Sequence, residues 1–75
     1  MVEKFLKIGF EVSYKDWFFV ILKRDNWRIH LREKSAIAET QKGNDIYGSV
    51  EKTPEEMLKI FSENRENELQ MFFLF

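Results

Sequence analysis

The stretch from Phe10 to Glu33 constrains this chain most, because its apolar residues alternate on both sides of a tight turn at Asp25-Asn26. It reads as three short β-strands, the last two forming a hairpin. If Arg24 and Trp27 flank a two-residue turn, Leu22 faces Ile29, Val20 faces Leu31 and Phe18 faces Glu33. One face of the hairpin is then Phe18, Val20, Leu22, Trp27, Ile29 and Leu31, a dry core surface. The other is Phe19, Ile21, Lys23, Arg28, His30 and Arg32, with Trp17 beside it at the strand entry. That second face is amphipathic, cationic and rich in hydrogen-bond donors. It is either an exposed surface or the floor of a ligand groove.

The flanking segments fit around this hairpin. Val2, Phe5, Leu6 and Ile8 follow helical spacing, and Gly9 stands where a helix ends in the left-handed conformation. Phe10, Val12 and Tyr14 alternate with polar residues as a half-buried strand, and Lys15-Asp16 supplies a turn. The strands of the hairpin span Trp17 to Lys23 and Trp27 to Arg32. Ser35 to Asn44 is mixed, mildly apolar at Ala36-Ile37-Ala38 and loop-like at Gln41-Lys42-Gly43-Asn44. Asp45 to Glu51 reads as a fourth strand in which Gly48 marks a bulge or the close approach of another backbone. Thr53-Pro54-Glu55-Glu56 is the clearest local signal, an N-cap, a proline at the first helical position and a capping-box carboxylate. The helix that follows buries Met57, Leu58, Ile60 and Phe61, and its polar side runs to Glu68. Leu69 to Phe75 is strongly apolar and needs cover, either as a buried final strand or from a second copy of the chain.

A chain of 75 residues forms one small domain, whose core alone supplies only a few kcal/mol of net stability. With no cysteine it has no disulfide framework and no thiolate metal site, and the cytoplasm is the expected compartment. A net charge of -1 provides no global field for nucleic acid, so the basic residues Lys23, Arg24, Arg28 and Arg32 act locally. No apolar run approaches the ~18 residues of a membrane span, and no signal-peptide pattern opens the chain.

The run from Val2 to Glu33 resembles the first module of the vicinal oxygen chelate superfamily, which includes glyoxalase I, extradiol dioxygenases and bleomycin-resistance proteins. The residues that carry the likeness are the helix Val2–Lys7 leading into Ile8-Gly9-Phe10-Glu11-Val12, the strand Trp17–Leu22 and the strand Ile29-His30-Leu31-Arg32-Glu33. Asp45–Glu51 followed by Thr53-Pro54-Glu55-Glu56 is similar to the opening of the second module. The resemblance implies an α+β fold, a βαβββ-type module with a curved antiparallel or mixed sheet and two helices. Residues 1–34 would be the first module without its opening strand, and residues 44–75 the start of the second. Such a chain is incomplete relative to the family and would be completed by dimerisation. In metal-dependent relatives the ligands come from the first and last strands of each module. Here the opening strand is missing, Asn44-Asp45 stands where a histidine or glutamine is expected, and the last strand of the second module is absent. The resemblance therefore implies the non-enzymatic binding branch, with neither metal nor cofactor.

The candidate binding residues are Trp17, Phe19, Arg28, His30, Arg32 and Tyr47. Trp17, Phe19 and Tyr47 would stack on a flat ligand, whereas Trp27 falls on the core face. Arg28, His30 and Arg32 would fix polar or anionic groups. Each has a plainer reading: the aromatics complete a core or a dimer interface, and the arginines pair with Glu11 or Glu33 at the surface. As a metal ligand His30 would need further donors, and Glu33 and Glu11 are not spaced to converge on it. No glycine-rich phosphate loop and no serine or cysteine nucleophile is set near the single histidine. The expected function is thus sequestration of a small aromatic or anionic molecule in a groove at a homodimer interface, without nucleic acid or membrane. The alternatives are a metal-dependent lyase or dioxygenase whose site a partner chain completes, and a truncated interaction module with no ligand site.

Overall fold

The computed structural model describes the backbone of residues 2–42 and 45–70 and the side chains of residues 2–40 and 48–69. Its elements run α1 (Val2–Lys7), β1 (Glu11–Lys15), β2 (Val20–Arg24), β3 (Trp27–Leu31), β4 (Ala36–Lys42), β5 (Asp45–Lys52), α2 (Pro54–Ser62) and α3 (Glu66–Gln70). The strands form one five-stranded sheet in the order β1-β2-β3-β4-β5, and every neighbouring pair is antiparallel. This is an α+β domain. A parallel neighbour requires a crossover of roughly a dozen residues or more, and the short connections here leave no room for one. Among the described residues the order αβββββαα therefore stands where βαβββ was expected, with three helices where two were expected, and β5 continues the same sheet. The apolar tail from Met71 to Phe75 lies outside the described residues.

β2 and β3 pair as the alternation requires, with Arg24 opposite Trp27, Leu22 opposite Ile29 and Val20 opposite Leu31. Asp25 closes the turn at φ 54°, a region that Asp and Asn enter more readily than most residues. The strand does not reach back to Trp17. Asp16 Oδ1 accepts the Trp17 N–H at 2.6 Å and the Asp16 N–H donates to the Phe19 carbonyl at 2.9 Å. This local closure holds Trp17 and Phe18 in a bend instead of the ladder. Phe18, expected in the core opposite Glu33, is consequently 83% exposed. At the other end β3 stops at Leu31, so Arg32 lies beyond the strand.

β4 replaces the mixed segment expected at Ser35 to Asn44. Ala36, Ala38 and Thr40 are buried, while Ile37 and Glu39 are half-buried on the opposite side. α2 packs against β4, and close approach of a helix to a sheet favours small side chains beneath it. β5 skips one residue against β4, since Thr40 faces Gly48 but Gln41 faces Ile46. Gly48 thus marks the bulge expected of it. A second bulge interrupts β1, where Val12 faces Leu22 but Tyr14 faces Ile21, leaving Ser13 between them.

All three helices feed one core on one face of the sheet. Phe5 from α1, Met57, Ile60 and Phe61 from α2, and Leu69 from α3 meet Leu22, Trp27, Ile29 and Leu31. α1 ends in a Schellman motif: the Phe10 N–H donates to the Phe5 carbonyl at 3.1 Å and the Gly9 N–H to that of Leu6 at 3.2 Å. Gly9 has φ 100°, and a Cβ there would stand 3.2 Å from Arg24 Cδ. α2 ends the same way at Asn64 (φ 56°), with the Arg65 N–H donating to the Ile60 carbonyl at 2.8 Å. This stop divides the helix expected to continue to Glu68 into α2 and α3.

The start of α2 follows the sequence signal. Thr53 Oγ1 accepts the Glu56 N–H at 3.2 Å and Pro54 opens the helix. Thr53→Ala should lower stability by about 1 kcal/mol. The measurement is urea unfolding, in which the midpoint falls at an unchanged slope.

Candidate functional site

The bend between β1 and β2 and the turn between β3 and β4 lie at the same end of the sheet, because each connects strands running in opposite directions. The N-terminal turns of α1 and α2 reach the same end. Between these parts lies a cleft of about 570 Å³, lined by Trp17, Phe18, Phe19, Arg32 and Glu33 with Val2, Asp16, Val20, Leu31, Pro54 and Glu55. It is wide open to solvent, a shallow depression and not an enclosed cavity. Trp17 is 95% exposed, so the cleft carries on its lip a large aromatic side chain that takes almost no part in the core. One guanidinium, Arg32, meets three carboxylates in this lining, Asp16, Glu33 and Glu55. The balance favours a neutral or cationic aromatic group over an anionic one.

The cleft brings together three of the six expected residues, Trp17, Phe19 and Arg32. Arg28 and His30 stand elsewhere, on the sheet face opposite the helices. Arg28 faces Lys23 on one side and Glu39 on the other. His30 Nε2 lies against Glu39 Oε1, with the two side chains 28% and 17% exposed. The expected single cationic groove is divided between the end of the sheet and its middle. Phe19 links the two regions: its ring centre is 5.6 Å from that of Tyr14, which faces Ile21, which in turn faces His30. Tyr47 belongs to β5 at the position passed over in its pairing with β4, and its side chain lies outside the described residues.

Three residues took roles that the sequence did not assign. Phe18 belongs to the cleft, and the signal for it is Asp16, whose side chain competes for the backbone just before the aromatic run. Glu39, not Glu11 or Glu33, is the carboxylate beside His30, and it could be found only by reading β4 as a strand. Arg24, grouped by sequence with the surface cations, is instead a brace. Its Nη1 donates to the Ile8 carbonyl at 2.7 Å and its Nη2 pairs with Glu66 Oε1 at 2.6 Å. Its guanidinium carbon lies 4.8 Å from the Phe10 ring centre and 5.3 Å from that of Phe61.

A second groove, of about 600 Å³, runs along α2 and α3 past Lys52, Lys59, Arg65 and Glu68. Its rim is occupied by internal pairing: Arg65 grips Glu68 through Nε at 3.0 Å and Nη2 at 2.8 Å, and reaches Glu63 at 3.2 Å. The hydrogen bonds from Arg65 hold the Glu68 carboxyl below its ordinary range, and Glu68 and Glu63 together raise the guanidinium. Groups satisfied in this way have less to offer a ligand. No protein-family model, curated protein or solved structure matches this chain.

Proposed function

We propose that this chain is a non-catalytic binding module that holds a small flat aromatic molecule in the cleft beside Trp17. The exposure of Trp17 and Phe18, 95% and 83%, carries the reading. A scattered surface leucine needs no explanation, but two adjacent large aromatics at the mouth of a cleft form an apolar patch of the kind that marks a binding surface. Trp17 contributes nothing to the core, whereas stacking on a ligand would remove a large apolar area from water. Phe19 and Val20 supply the apolar wall, Arg32 and the carboxylates orient polar substituents, and the whole cleft is formed by one chain. In this reading the groove lies at the end of the sheet, and of the aromatic or anionic ligand expected it is the aromatic one that the cleft would take.

Three indoles of different charge test it: indole, tryptamine and indole-3-acetate, titrated into the labelled protein and followed by amide chemical shifts. The expected result is perturbation centred on residues 16–20 and 32–33, tightest for tryptamine and weakest for indole-3-acetate. Trp17→Ala should weaken tryptamine binding about tenfold, in keeping with ~1–1.5 kcal/mol for a lost aromatic pair. The same substitution should leave the unfolding midpoint unchanged, because the side chain is solvated. Shifts spread over the surface, or equal binding by the alanine variant, would remove the cleft as the site.

A further inference from the structure

The apolar surface at the cleft does not stop there. Among the described residues the exposed large apolar side chains are Leu6, Val12, Tyr14, Trp17 and Phe18. All five belong to α1, β1 or the bend that follows β1. Scattered apolar residues are ordinary on a surface, but a set confined to one region marks a contact site. Part of it forms a strip leading out of the cleft. Val2 lines the cleft, and Leu6 stands one turn later on the same face of α1, about 6 Å away. Val12 joins them, because it faces the buried Leu22 and so points to the side of β1 on which α1 packs.

The other side of the cleft is charged. α1 packs on β1 and α2 on β4, so the apolar strip leaves on one side while Glu33 and Glu55 stand on the other. Among the described residues neither carboxylate has a hydrogen bond or an ion pair. Asp16 is already engaged, by the Trp17 N–H and by the Tyr14 hydroxyl at 3.3 Å. Arg32 is the one cation in the lining, so two uncommitted carboxylates face a single guanidinium. The groove along α2 and α3 differs in just this respect, since its Arg65 and Glu68 hold each other.

We infer that the cleft receives an extended segment of another protein, in which an aromatic residue has a lysine or arginine two positions to one side and a leucine or isoleucine two positions to the other. This rests on the reading that the cleft takes an aromatic group, and adds what carries that group. Side chains two apart on an extended chain point the same way and stand about 7 Å apart, close to the ~6 Å step from Val2 to Leu6. The aromatic residue stacks at Trp17 and Phe18, the basic one meets Glu33 and Glu55, and the aliphatic one lies on Leu6 and Val12. A depression this open covers little of a free molecule. A chain that continues past it gains contact on both sides.

The probes are the blocked peptide Lys-Ser-Trp-Ser-Leu, its relatives with Glu for Lys or Ser for Leu, and tryptamine, each titrated into the labelled full chain. The first peptide should bind at least about tenfold more tightly than tryptamine. It should shift the amides of residues 16–20 and 32–33 and also those of Leu6 and Val12. Each altered peptide should lose about fivefold. The double variant Glu33→Gln, Glu55→Gln should abolish the preference for Lys over Glu, and Leu6→Ser the preference for Leu over Ser, each leaving the other preference in place. If tryptamine perturbs the cleft but the peptide binds no more tightly, or if the preferences survive in the folded variants, the segment is overturned and the aromatic cleft stands. If no probe shifts residues 16–20, both readings fall. A chain that ignores the peptides but sediments with phosphatidylcholine vesicles also overturns the segment, because the strip then meets a lipid surface.

Discussion

Phe61→Ala should leave this protein largely unfolded at 25 °C. Phe61 is 1% exposed, and its ring meets the edges of Phe10 and Trp27 with centres 5.1 and 5.4 Å away. It therefore joins the Schellman turn after α1, the hairpin and α2. Truncating a buried phenylalanine to alanine costs about 3–5 kcal/mol. A domain of this size holds roughly 5 kcal/mol in total, so the loss consumes most of it. Phe61→Leu keeps much of the volume and should cost about 1–1.5 kcal/mol while remaining folded. Tryptophan emission reports the difference. Trp27 is 7% exposed and Trp17 95%, so unfolding should shift the blue component from Trp27 to the red and leave the Trp17 component in place. An alanine variant that melts like its parent would show that these elements do not share one core.

Arg24→Ala should be the most damaging change of a charged residue, at about 2–3 kcal/mol. The side chain is 19% exposed, as is that of Glu66. Removing it deprives the Ile8 carbonyl and the Glu66 carboxylate of their donor and uncovers two aromatic faces. The loss is placed below the ~3–5 kcal/mol of a fully buried broken pair because water reaches both partners. Arg24→Lys tells packing from geometry. Its stem still covers Phe10, but one ammonium cannot reproduce a planar fork that reaches in two directions. It should recover about half of the alanine loss in urea unfolding. If Arg24 were merely a surface cation, both variants would fall within ~1 kcal/mol of the parent.

How much of this was legible depends on which force dominated at each residue. The β2–β3 register was readable because alternation of large apolar side chains and a two-residue turn point to the same pairing. The α2 start was readable because Thr53 and Pro54 act locally. β4 was hidden because its buried face is built of Ala36, Ala38 and Thr40 while its one large apolar residue, Ile37, faces the other way. That pattern answers to α2, which arrives from elsewhere in the chain. With β4 unread, Glu39 had no place beside His30. Phe18 was misplaced for the opposite reason: hydrophobicity spoke for the core, but the Asp16 side chain captured the backbone first. Arg24 shows a further limit, since its roles at Ile8 and Glu66 depend on partners 16 and 42 positions away.

The skipped residue in β1 has a consequence for how copies of this chain can accumulate. An outer strand normally offers a regular row of amides and carbonyls on which another chain can template itself, and the addition can repeat without end. At Ser13 that row loses its rhythm. A newcomer lying along β1 would have to lose step at the same point, with charged Glu11 and Lys15 at either end. Growth by that route stalls, so crowding at this margin leads to separate molecules and not to fibrils.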